Sequence, residues 1–155
     1  MKGGGRLSFS NDVKNELSRL ETNEVCCDKA EVLGVLRMSG AIVIRGMNIG
    51  IHFSTENAAL ARRVLQILKN NYQVQTEVVI TRSRRLKKNN RYQVRVLPAP
   101  QVSIAMNELQ LLSMESDLKN PLLNKQCCKR AFLRGAFLGG GSISRPSSDY
   151  HLEMV

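Results

Sequence analysis

Long apolar runs are missing from this sequence. No stretch approaches the roughly 18 consecutive apolar residues that a membrane span requires, and Met1 to Leu7 supplies basic residues and glycines without an apolar signal core. A cytoplasmic protein with no membrane partner is the expectation, and Gly3, Gly4 and Gly5 are set aside as an arm outside the fold. Also missing are a nucleophile-and-base pattern, a phosphate-cradling glycine loop and a dinucleotide fingerprint. Histidine occurs twice, at His52 and His151. Neither has a companion at ligand spacing, so surface or pairing roles are expected. Cysteine is limited to two adjacent pairs, Cys26 with Cys27 and Cys127 with Cys128. Without an export signal they argue against a disulfide framework. Neighbours on a helix diverge by about 100°, which disfavours a shared metal. The reading taken is that one cysteine of each pair is a small buried packing residue, with a four-cysteine site as the alternative and no cofactor expected.

What is present is positive charge. With 43% hydrophobic residues, the 155 residues are enough for one domain with a core, and Lys plus Arg is 23 against 13 acids, a net +10. Such an excess points to polyanionic partners, nucleic acid first. Arg82, Arg84, Arg85, Lys87, Lys88, Arg91 and Arg95 fall within fourteen positions that hold no acid. The plainer alternative is a solvated hairpin with a basic tip.

The chain also repeats itself. Shifted by 101 positions, Cys26 to Ile42 overlies Cys127 to Ile143, with identity at Cys26/Cys127, Cys27/Cys128, Ala30/Ala131, Gly34/Gly135, Gly40/Gly141 and Ile42/Ile143. So long a period is not a solenoid unit; it implies two half-domains about a pseudo-twofold axis. Between the copies, periodicity predicts a helix over about 11–20 capped by Ser10 and packing outside the repeat, with Phe9, Val13, Leu17 and Leu20 on one face. A motif helix follows over about 28–38, then strands over 41–44 and 49–53. A helix capped by Ser54 or Thr55 runs to about Lys69, and strands are predicted over 74–80 and 92–97. Pro98 and Pro100 are expected to break the last strand before a helix over about 101–112, and 113–125 reads as a polar linker. On the second strand pair, alternation leaves Gln75, Glu77, Gln93 and Arg95 on the more polar face. The half-domain order is therefore α, β, β, α, β, β, α.

That order, with a twice-occurring helix of the form L-x-G-x5-G-x-I or a close variant, resembles the LAGLIDADG homing endonucleases; the better copy is F-L-R-G-A-F-L-G-G-G-S-I at Phe132 to Ile143, and the weaker is E-V-L-G-V-L-R-M-S-G-A-I at Glu31 to Ile42. Closer still, S-F-S-N-D-V-K-N-E-L at Ser8 to Leu17, T-E-N-A-A-L-A-R-R at Thr55 to Arg63, L-K-K-N-N at Leu86 to Asn90 and the Cys127 to Ile143 segment resemble the WhiA family. The resemblance implies an α+β fold of repeated αββαββα halves with a saddle-shaped antiparallel sheet: an arm and helix over 1–24, a first repeat over 25–120 and the start of a second over 121–155. It implies Gly34, Gly40, Gly135 and Gly141 as helix-packing glycines. It also implies a DNA-binding transcription regulator acting in sporulation, or in cell division and chromosome segregation, associated with the nucleoid. The second half looks incomplete, with a turn over 146–149, a strand over 150–155 and no helix-turn-helix, so truncation, disorder or self-association is expected.

Resemblance further implies an acid before the last glycine of each motif helix, where two carboxylates would share divalent ions. Ser39 and Gly140 stand there instead, so no cleavage is expected. Asp28 and Glu31 read as favourable charges near a helix N-terminus, and Asp149 sits beyond the second motif. The expected partner is double-stranded DNA, with Arg82, Arg84, Arg85, Lys87, Lys88, Arg91 and Arg95 on phosphates, Gln75, Gln93 and Arg95 as groove candidates, and Arg45 at a flank. Two alternatives remain: a scaffold that docks another transcription regulator or an RNA polymerase subunit, and an active endonuclease.

Overall fold

The computed structural model describes residues 9–21, 24–82, 90–111, 119–144 and 151–154. In chain order the elements are α1 (Phe9–Leu17), α2 (Val25–Ser39), β1 (Gly40–Arg45), β2 (Asn48–Thr55), α3 (Ala58–Asn71), β3 (Thr76–Arg82), β4 (Asn90–Ala99), α4 (Pro100–Leu109), a 3-10 turn (Pro121–Leu123), α5 (Gln126–Gly140), β5 (Gly141–Ile143) and β6 (Leu152–Met154). From α2 to α4 this is the order read from periodicity, and α5 with β5 repeats its opening.

β1 to β4 form one antiparallel sheet in the order β1-β2-β4-β3, and β5 pairs with β6 alone. Alternation places Ile51 and Phe53 of β2 and Val94 and Val96 of β4 in the core, against Leu60, Val64 and Leu68 of α3 and Val102, Ala105 and Met106 of α4. Opposite them, no described element covers the other face of the sheet. Among the described residues no helix is long and apolar enough to cross a membrane.

Local chemistry moves several boundaries. Asn57, not Ser54 or Thr55, caps α3: its Oδ1 accepts from the Leu60 N–H at 3.0 Å, while Thr55 closes β2 and its Oγ1 accepts from the Asn57 N–H. Asn57→Ala is expected to lower stability by about 1–2 kcal/mol, measured as a denaturant-midpoint shift at unchanged slope. Ser10 is not a cap either. It lies inside α1, and its hydroxyl accepts from the Ile143 N–H at 2.6 Å and donates to the Ile143 carbonyl at 2.8 Å. Far from packing outside the repeat, α1 is thereby hydrogen-bonded to β5, and Lys14 lies 5.6 Å from the Phe137 ring centroid of α5. α1 ends at Leu17, leaving Leu20 exposed.

Pro98 does not end its strand. β4 runs through it to Ala99 because the β2–β4 register shifts between Ile49 and Ile51, and a Cβ on Gly50 would collide with the Val96 carbonyl and the Pro98 ring. A ring without an N–H is tolerated where the ladder is irregular. Pro100 instead opens α4, where a missing N–H costs nothing. That helix ends before the predicted Leu112, at Gln110 with φ 56°, where Arg37 donates to the Gln110 and Leu111 carbonyls at 2.7 and 2.9 Å. Within the 113–125 linker, Asn120 is buried, its Nδ2 donating to the Leu109 carbonyl and its Oδ1 accepting from the Leu122 N–H. The last strand is Leu152–Met154, shorter than the 150–155 predicted; the turn 146–149 and Asp149 lie outside the described residues.

Candidate nucleic-acid interface

The two copies of the repeated segment, α2 and α5, pack directly against each other. A Cβ on Gly34 would overlap the Phe132 carbonyl oxygen, and one on Gly135 would overlap the Glu31 carbonyl oxygen, so both glycines bring backbone against backbone. Gly40 and Gly141 act differently from the expectation. They follow the helices, and a Cβ there would meet Leu36 and Phe137 of the preceding turn, so they permit the abrupt passage into β1 and β5. Gly139, which the repeat did not single out, is the third close approach, beside the Val35 carbonyl and Ser39 Oγ.

At the ends of these helices the Ser39 hydroxyl donates to the Gly139 carbonyl, and Gly140 closes α5. A cross-helix hydrogen bond thus occupies the place where the resemblance put two acids, and neither helix ends in a carboxylate. Glu31 departs from its assignment as a helix-terminus charge. It is 1% exposed, accepts from Arg134 Nε at 2.5 Å and from Arg63 NH2 at 3.2 Å, and is also ion-paired to Arg63 Nε. Arg63 continues to the Ser18 carbonyl at 3.1 Å and the Leu20 carbonyl at 2.5 Å, joining the end of α1 to both repeat helices. A charged residue inside an apolar helix face was the signal for this cluster, since a buried acid requires partners.

The far end of the same helix pair overturns the geometric objection to a cysteine cluster. The sulfur atoms of Cys26, Cys27, Cys127 and Cys128 all lie within 4.8 Å of one another. Neighbours on one helix do diverge, but two helices packed face to face bring both pairs to a common point. Cys27 and Cys128 are buried and pack with Ala30, Ala131 and Leu123, as one cysteine of each pair was expected to do; Cys26 and Cys127 are half-buried. Burial pushes the Cys27 thiol up to about 12 and the Cys128 thiol up to about 11, reinforced by hydrogen bonds among the thiols and by their mutual repulsion when charged.

The open face of the sheet collects much of the predicted interface. The register pairs His52 with Arg95 and Arg95 with Glu77, Ser54 with Gln93 and Gln93 with Val79, and Arg91 with Thr81. Residues across from one another share a face, so His52, Arg91, Gln93 and Arg95 point away from the helices, as does Arg45, opposite Asn48. Arg95 Nε donates to Gln93 Oε1 at 2.5 Å, and its NH1 lies 3.4 Å from Glu77; Arg91 lies 3.7 Å from Glu56. Both ion pairs are solvent-exposed. Arg82 falls on the other parity, opposite Asn90 at the ribbon end, and Gln75 precedes β3, with its carbonyl accepting from the Leu97 N–H. Arg84, Arg85, Lys87 and Lys88 lie outside the described residues. His52 was not singled out for this face; its place in an alternating strand was the available signal. His151 pairs with Glu153 at 3.8 Å.

Comparison with known proteins is decisive here: the WhiA N-terminal LAGLIDADG-like domain matches residues 25–112, and the WhiA LAGLIDADG-like domain matches 129–155. The chain belongs to the WhiA family. A relative from Alkaliphilus metalliredigens, named "Probable cell division protein WhiA", is 41% identical over 157 residues, covering 96% of this chain and 50% of its own. This WhiA-family chain spans about half the length of the curated relatives it matches. Among solved structures, the N-terminal LAGLIDADG domain of DUF199/WhiA superposes with a TM-score of 0.70 at 24% identity, covering 96% of this chain and 66% of that one. A variant of I-DmoI in complex with its target DNA and 2 mM magnesium superposes with a TM-score of 0.50 at 15% identity, covering 76% of this chain and 64% of that one. The α+β LAGLIDADG-like fold of the WhiA family is therefore the fold of this chain.

Proposed function

We propose that this chain is the DNA-binding, non-cleaving part of a WhiA-type transcription regulator acting in cell division, chromosome segregation or sporulation. The observation that carries the reading is the sheet register, which puts Arg45, His52, Arg91, Gln93 and Arg95 on the one face that no described helix covers. Three strand spacings make that face about 14 Å wide, comparable with the roughly 12 Å major groove. Arg91 and Arg95 are about 13 Å apart along β4 at 3.3 Å per residue. Exposed ion pairs contribute only about 0–1 kcal/mol, so exchanging Glu56 and Glu77 for phosphates costs little. The relatives' name supports the cell-division context, and I-DmoI, a protein of like fold, is seen with its target DNA.

Phosphate contacts set affinity and orientation, while Gln93 and Arg95 offer amide and guanidinium groups to base edges. Arg82 adds charge at the end of β3, the chain between β3 and β4 carries Arg84, Arg85, Lys87 and Lys88, Gln75 precedes β3, and Arg45 closes β1 on the opposite edge of the sheet. If the ribbon neutralises about five phosphates, log K against log salt should have a slope of about −4 to −5. Changing Arg84, Arg85, Lys87 and Lys88 together to alanine is expected to flatten that slope, whereas an unchanged slope removes the ribbon from the interface. Reading the duplex-binding titration on a gel, with and without magnesium, also tests cleavage. Intact DNA is expected, because Ser39 and Gly140 provide no carboxylate for a metal-activated attack; magnesium-dependent nicking would refute it.

A second reading, docking of another regulator or a polymerase subunit, draws on the exposed Ile42 and Ile44 of β1 and Met47 of the turn that follows it. It predicts capture of such a protein in the absence of DNA by a chain that has no measurable duplex affinity at low salt.

A further inference from the structure

We propose that Cys26, Cys27, Cys127 and Cys128 form a four-thiolate site for a structural zinc ion that joins the two repeats on their pseudo-twofold axis. The ligands come as symmetry-related pairs. Cys26 and Cys27 occupy the second and third positions of α2, and Cys127 and Cys128 the same positions of α5. Their sulfurs lie within 4.8 Å of one another. A tetrahedron with 2.3 Å zinc–sulfur bonds has edges of about 3.8 Å. Closing the widest gap therefore takes about 1 Å, within reach of cysteine side-chain rotation and a slight approach of the helix ends.

Without metal, burial keeps the Cys27 and Cys128 thiols protonated, so zinc itself must displace the protons, and several surrounding features assist the charged cluster that results. Both helix N-termini converge on it, and their partial positive charges favour anionic sulfur. Lys125, Lys129 and Arg130 flank the second pair along the chain, countering the net double negative charge of a zinc ion with four thiolates. Ala30, Ala131 and Leu123 line one side and keep water away from Cys27 and Cys128, while the half-buried Cys26 and Cys127 leave an entry path. The Cys26 thiol donates to a Glu24 oxygen at 3.4 Å, a first acceptor for a departing proton. Hydrated zinc exchanges its waters for four sulfurs, and the thiol protons pass to solvent; no electron is transferred. Zinc is favoured over redox metals because a closed four-cysteine set with no open position matches its structural sites. Cys27 is twelve residues from Ser39, about 18 Å along α2, so this site is separate from the place of the absent acids and independent of the DNA-binding reading.

The test uses the full chain, purified under reducing conditions without chelator. Elemental analysis is expected to find one zinc per chain, and thiol titration to find all four cysteines protected until the metal is removed. Cobalt added to the stripped chain should give thiolate-to-cobalt charge transfer in the near ultraviolet together with intense tetrahedral bands in the visible. The half-buried pair supplies the variant least disturbing to packing: Cys26→Ser with Cys127→Ser should keep the native circular dichroism. Its zinc affinity should fall by more than the roughly 100-fold that even an outer-shell change can cause. A folded native chain with four reactive thiols and no retained metal overturns the proposal, as does a pair of disulfides in their place. Stoichiometric iron or copper overturns the choice of zinc.

Discussion

Replacing Glu31 by alanine is expected to lower folding stability by about 3–5 kcal/mol, the range for removing one partner of a buried ion pair. Magnitude follows from what is left behind. The guanidiniums of Arg63 and Arg134, only 11% and 18% exposed, would keep their charges without a counter-ion. Arg63 retains the Ser18 and Leu20 carbonyls, whereas Arg134 loses its ion-pair partner, so the junction between the repeats should suffer most. Glu31→Gln keeps an acceptor and removes the charge, and should fall between wild type and alanine. Chemical denaturation of the three proteins measures this; a loss under about 1 kcal/mol for Glu31→Ala would mean the cluster is solvated and weak.

Gly135→Ala should be almost as damaging despite adding a single methyl. Helix propensity alone favours alanine by about 1 kcal/mol. Against it stands an overlap between the new Cβ and the Glu31 carbonyl oxygen, a backbone atom that cannot rotate aside. Overpacking typically costs 1–3 kcal/mol and more where nothing yields, so after that offset a net loss of about 2 kcal/mol or more is expected by thermal or denaturant unfolding. Because Gly135 and Glu31 face each other across one contact, the Gly135→Ala and Glu31→Ala effects should also fail to add in the double variant. Gain of stability in Gly135→Ala would show that α2 and α5 do not approach so closely in solution.

Repeat symmetry is the part of this fold most legible in the primary structure. Six identities at a fixed shift, with glycine at 34 and 135, announce two helices that meet by their backbones, and the period-two alternation of Val94 and Val96 against Gln93 and Arg95 separates a core face from an open one. Caps were harder to read because Ser10, Ser54, Thr55 and Asn57 all carry an oxygen able to cap. Which one does depends on what else competes for it, as Ile143 does for Ser10. Pro98 misleads in the same way, since a locally irregular ladder excuses its missing N–H. The candidate sites divide along this line. Gln93 and Arg95 follow from alternation within one strand, whereas the Glu31 cluster and the four-sulfur cluster join residues about a hundred positions apart. Helical geometry on one element says that adjacent cysteines point apart; only the crossing of a second element reverses the conclusion.

The union of α2 with α5 also has a consequence for biogenesis. Glu31 and Arg134 are separated by 103 positions, and a ribosome adds about 5–20 residues per second. For about 5–20 s the nascent first repeat therefore presents the α2 stripe of Cys27, Ala30 and Gly34 without its partner. During that interval the stripe is open to any other emerging copy of the same helix, so polysomes translating this message are where exchange of one repeat between two chains would begin.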